Sequence, residues 1–82
     1  MTINNDFGNK AKKLGLKIKL LRIERRLTQA EFAEKIGAEQ YQISKWEKGE
    51  LVISTPYLFR IHEKFGVSLG LFNLLPVMAT NT

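Results

Sequence analysis

Gln40, Tyr41, Ser44 and Lys45 place an amide, a phenol, a hydroxyl and an ammonium within one short stretch of this 82-residue chain. On a helix advancing about 100° per residue they share one side, and Ile43 and Trp46 share the other. Donors and acceptors of these kinds are the groups that read base edges in a major groove. A merely solvated helix face would be richer in Glu and Lys. Covalent chemistry has no comparable constellation: the sequence holds no recognisable carboxylate pair, no nucleophile–base spacing and no phosphate-cradling glycine loop. His62 is the only histidine and cysteine is absent, so no metal site is expected and His62 reads as an ordinary surface or boundary residue. No enzyme activity and no cofactor are implied.

The elements that must position these residues are legible from caps and periodicity. Thr28-Gln29-Ala30-Glu31 fits a capping box and predicts a helix beginning at Gln29, with Phe32, Ala33 and Ile36 on one face. Gly37 can take the left-handed conformation that ends a helix, so the chain turns there and a second helix runs from about Glu39 to Glu47. Ala38-Glu39 is a poor cap for it, although an acid near a helix N-terminus is favourable by ~0.3–1 kcal/mol. Ahead of this pair, a helix from about Asn9 to Arg26 carries the stripe Leu14, Ile18, Leu21. Behind it, Thr55-Pro56 predicts a cap and first-turn proline for a fourth helix reaching Phe65, with Leu58, Ile61 and Phe65 inward and Tyr57 and Phe59 off that stripe. Ser68 caps an expected fifth helix containing Leu69, Leu71, Phe72, Leu74 and Leu75, and Pro76 stops it. The predicted fold is all-α, five short helices in one domain over 9–76, with flexible ends at 1–8 and 77–82.

Eight of the thirteen Lys and Arg residues precede Thr28, against only two acids there, Asp6 and Glu24. Such a front third favours a polyanion, either nucleic acid or an anionic membrane surface, over the plainer reading of a solvated basic helix face. No apolar run approaches the ~20 residues that span a bilayer, and MTINNDFGNK lacks an apolar signal core. The absence of cysteine fits a reducing, cytoplasmic setting.

Several spaced residues together resemble the phage repressor/Cro-like helix-turn-helix proteins, the XRE family, from about Leu14 to Leu75. They are Gln29 opening the first helix of the pair, Ala33 where the two helices touch, Gly37 in the turn, and Ile43 and Trp46 in the recognition helix. Glu47-Lys48-Gly49 looks like the family's exit from that helix, and Phe65-Gly66-Val67-Ser68-Leu69 like its lead into the last one. The resemblance implies a lambda-repressor-like DNA-binding domain with the helix-turn-helix at helices 2 and 3. It places base contacts at Gln40, Tyr41, Ser44 and Lys45. Glutamine suits adenine N6/N7 and lysine suits guanine O6/N7. Backbone contacts fall to Gln29, Gln42 and Lys48, with the Gln29 side chain also supporting Gln40. Arg22 and Glu47 take the places of a structural salt bridge.

Two stretches depart from the family pattern. The loop Glu50-Leu51-Val52-Ile53 lacks basic and amide residues, so either helix one or backbone amides supply more of the phosphate grip, or Val52 and Ile53 form an exposed apolar patch that a partner covers. Leu16, Leu20 and Ile23 form a second stripe on helix one, nearly opposite the first. Either the chain's own C-terminal segment covers that stripe or it is a subunit interface. The reading is therefore a transcriptional regulator, a repressor by resemblance, binding double-stranded DNA as a homodimer on a near-palindromic operator. Dimer contacts are expected from Leu71, Phe72, Leu74 and Leu75, or from Leu16, Leu20 and Ile23. The alternatives are an antitoxin holding a toxin on an apolar surface and an adaptor that keeps the fold without reading DNA. A membrane-surface helix over Lys10 to Arg26 is disfavoured by its two opposed stripes.

Overall fold

Four helices appear in a computed structural model that describes residues 2–68 and 70, with side chains from Asn9 onward: α1 (Thr2–Glu24), α2 (Gln29–Ile36), α3 (Gln40–Lys48) and α4 (Thr55–Phe65). The all-α class stands, and among the described residues there is no strand. The fifth helix expected after Ser68 lies almost wholly outside the described residues, as do Leu71, Phe72, Leu74 and Leu75. Ser68 does accept a hydrogen bond from the Gly70 N–H at 3.0 Å, the bond an N-cap serine makes.

The helix pair begins and turns where its sequence signals lie. The Thr28 hydroxyl accepts from the Glu31 N–H at 3.1 Å while the Glu31 carboxylate accepts from the Thr28 N–H at 2.8 Å. Gly37 ends α2 at φ 71, ψ 31, a conformation that a Cβ makes costly. The α3 cap is a weak one in its own side chain, as expected, but is helped from inside the helix. Glu39 occupies the N-cap position in an extended conformation, and its N–H donates to the Gln42 side-chain oxygen at 2.9 Å, so Gln42 supplies a capping bond from inside the helix. The cap of α4 is Ser54, with Thr55 already helical and Pro56 in the first turn. α1 starts at Thr2, well ahead of Asn9, and ends at Glu24.

The end of α1 is unusual. Leu27 N–H reaches back to Arg22 O at 3.1 Å and Arg26 N–H to Ile23 O at 2.9 Å, with Arg26 at φ 60. Glycine closes α2 and α3 in the same way. A non-glycine residue in this left-handed region costs roughly 1–2 kcal/mol, so the contacts around Arg26 hold it there.

The core joins Ile18 and Leu21 of α1, Phe32, Ala33 and Ile36 of α2, Ile43 and Trp46 of α3, and Leu58, Ile61 and Phe65 of α4. Phe32 and Phe65 stack with centroids 4.9 Å apart, and half-buried Tyr57 tilts against Trp46 at 5.2 Å. Leu14 is half-buried at the margin. Ile53 corrects an expectation: it is 4% exposed and part of this core, so the apolar patch expected in the loop reduces to Leu51 and Val52. Burying one β-branched side chain from a connecting loop anchors the chain between α3 and α4, a gain of ~1.5–3 kcal/mol.

Candidate nucleic-acid interface

α3 is two-sided. Ile43 and Trp46 are buried, whereas Gln40, Tyr41 and Lys45 are exposed and Ser44 is half-buried beside them. Tyr41 is 63% exposed, a large exposure for an aromatic that could have turned inward. The expected base-reading residues thus share one surface. Lys45 Nζ lies 3.8 Å from the Glu50 carboxylate, both well exposed. Such a pair is worth ~0–1 kcal/mol and does not fix the lysine.

The helix is held from behind by a clamp. The Glu47 side chain is 5% exposed and accepts from Arg22 Nε at 2.6 Å, Arg22 Nη2 at 3.1 Å and Gln29 Nε2 at 3.1 Å. Arg22 Nη1 also donates to the Leu27 carbonyl at 2.9 Å. A planar guanidinium bonded through two nitrogens fixes orientation as well as distance. One carboxylate at the end of α3 therefore ties together α1, the turn after it and the first residue of α2. The Gln29 side chain engages Glu47 here, not Gln40, which corrects that part of the family-based expectation. Its backbone is unaffected: the first N–H groups of α2 have no acceptor within the helix and sit at its positive end. Gln42 is half-buried with its oxygen committed to Glu39, leaving its NH2 as the free end. Lys48 is exposed in the last turn of α3.

Three contributors carried no sequence signal of their own. A Cβ at Gly15 would lie 1.9 Å from the Trp46 carbonyl oxygen and 3.2 Å from the Glu47 carbonyl carbon, so α1 rests on the backbone of α3 itself. Arg25 Nη2 donates to Phe65 O at 3.0 Å with its guanidinium over the Phe65 ring. Arg60 Nη1 donates to Ile36 O at 3.3 Å with its guanidinium over Tyr57. The arginines satisfy carbonyls at the ends of α4 and α2, a role visible only once distant segments meet.

Glu31 is the described group whose titration is displaced. The Thr28 backbone N–H, and then its hydroxyl, hold the carboxyl below the usual carboxylate range.

A short helix, a tight glycine turn and a second helix with an outward polar face, braced by a third helix, define a helix-turn-helix domain. The sequence model of the family described as Helix-turn-helix matches residues 18–72, and the chain belongs to this family, the XRE type. It is a DNA-binding protein of the helix-turn-helix regulator class. No curated protein matches the chain significantly. Among the described residues, no helix is long and apolar enough to cross a membrane.

Proposed function

We propose that this chain is a cytoplasmic transcriptional repressor that binds a near-palindromic operator as a homodimer. Gln40, Tyr41, Ser44 and Lys45 read base edges, while the α2 N-terminus at Gln29, the Gln42 NH2 and Lys48 hold the phosphate backbone. The observation that carries this reading is the exposed polar side of α3 opposite a rigidly clamped, buried side. A helix backbone already fixed on its buried side loses little freedom on binding. Two such units reading half-sites ~34 Å apart supply the selectivity that one lacks.

The dimer reading is supported by Leu16, Leu20 and Ile23, which are 53%, 56% and 51% exposed. Leu20 also lines a groove of about 460 Å³ between α1 and Val67-Ser68. The same stripe supports the second reading, an antitoxin whose apolar surface holds a toxin.

Selection of sites from random duplexes followed by a salt titration tests the proposal. A recovered palindrome, with log K falling by about 0.9 per neutralised phosphate against log salt, is the expected result. Lys48→Ala is expected to weaken all sites alike and flatten that slope by about one contact. A flat salt response would sink the DNA reading. A Leu20→Glu variant that stays fully dimeric in sedimentation would remove α1 from the interface.

A further inference from the structure

Behind Thr28 the chain is net acidic, yet three of its five cations there converge on one place. Lys35 at the end of α2 and Arg60 and Lys64 on α4 line a cleft of about 340 Å³. Lys35 and Lys64 also wall an adjoining cleft of about 390 Å³, completed by Arg25 from the turn after α1. Four cations from three segments thus line two clefts that share Lys35 and Lys64, with Glu63 the acid on the wall of the first. Neither ion pair among the described residues, Arg22–Glu47 or Lys45–Glu50, involves these four. The two arginines are pre-oriented, each by a backbone carbonyl and an aromatic ring. One bond to a carbonyl leaves most of a guanidinium's N–H donors free for an anion.

We infer that this double cleft is a docking site for an acidic peptide segment of a partner protein, separate from the recognition surface of α3. Spaced cations along an open, two-lobed depression suit an extended chain bearing several carboxylates. A small ligand would need a cavity that encloses most of its surface. Duplex DNA fits less well, because exposed Glu39 stands between the cleft at Gly37 and the first reading residue, Gln40. A phosphate backbone running from one to the other would meet that carboxylate. The site also gives the partner a foothold that leaves Gln40, Tyr41 and Lys45 clear, so peptide and duplex can be held together.

The test is fluorescence anisotropy of a labelled octaglutamate peptide at low salt, with the protein free and then saturated with its selected duplex. Binding in both states is expected, with affinity falling more than ~10-fold in Lys35→Glu/Lys64→Glu and falling measurably in the milder Lys35→Ala/Lys64→Ala. A matched control, Lys13→Glu/Lys19→Glu, carries the same charge change on exposed α1 positions and is expected to retain peptide affinity within ~3-fold. Equal losses in the two charge-reversal variants would reduce the effect to overall charge and overturn the proposal. So would displacement of the peptide by duplex, or loss of duplex affinity in Lys35→Glu/Lys64→Glu, since either gives the cleft to DNA. If no duplex binds at all, the DNA reading fails on its own, and the peptide measurement on the free protein still decides this one.

Discussion

The two sides of α3 are built on opposite terms. On the inner side Gly15 admits the Trp46 carbonyl, Glu47 takes three donors, and Ile43 and Trp46 are sealed in the core. On the outer side the best-defined side-chain contact is a 3.8 Å pair between two exposed groups. Fixing the backbone so firmly while leaving the side chains unattached separates two tasks within one short helix. The inner side sets where the ridge stands, and the outer side sets what it meets. Substitutions are accordingly expected to act on stability or on preference, seldom on both.

Gly15→Ala probes the inner side most severely. The added methyl meets a backbone carbonyl that cannot rotate away, so a loss of about 3 kcal/mol is expected in denaturant unfolding, at the upper end of overpacking effects. Glu47→Ala should cost as much, at about 3 kcal/mol, because it strands a largely buried guanidinium and frees the Gln29 amide. Unchanged stability in either variant would erase the contrast between the sides. On the outer side, Lys45→Ala is expected to leave stability within about 0.5 kcal/mol. It should relax base preference at one position per half-site by about 1–3 kcal/mol, read by competition between duplexes.

The smallest effect concerns the start of α2, which positions Gln29. The Glu31 carboxyl titrates lower in the folded than in the unfolded chain. Its contribution is therefore complete above the unfolded value and is lost as pH falls through the folded one. The stability difference between the native chain and Glu31→Gln should persist at neutral pH and shrink below the ordinary carboxylate range. A difference independent of pH would assign the cap to the hydroxyl of Thr28 alone.

What could be read from the sequence was local or periodic. The Thr28 box, the Gly37 turn and the stripes through Phe32, Ile43 and Leu58 depend on neighbours within a few residues, and they stand where they were expected. The Arg22–Glu47 pair was reached through the family pattern, since its members are distant in sequence. The rest depends on which segments come together. Val52 and Ile53 look alike in the chain, but only Ile53 faces the space under α3 and α4. The resemblance pairs the Gln29 side chain with Gln40, and only the folded position of Glu47 shows that the amide goes there instead. The early start of α1 follows Ile3, Phe7 and Ala11, which continue the Leu14, Ile18 and Leu21 stripe backwards at spacings of four and three; lengthening a helix that already exists requires little beyond the next bond.

The carbonyl of Trp46 has one further role. It accepts the Gly49 N–H at 3.0 Å while Gly15 roofs it from the other element. The bond that closes α3 is thereby shielded by the N-terminal helix, and it cannot fray while that helix stays seated. Detachment of one must accompany melting of the other, which makes them a single cooperative unit.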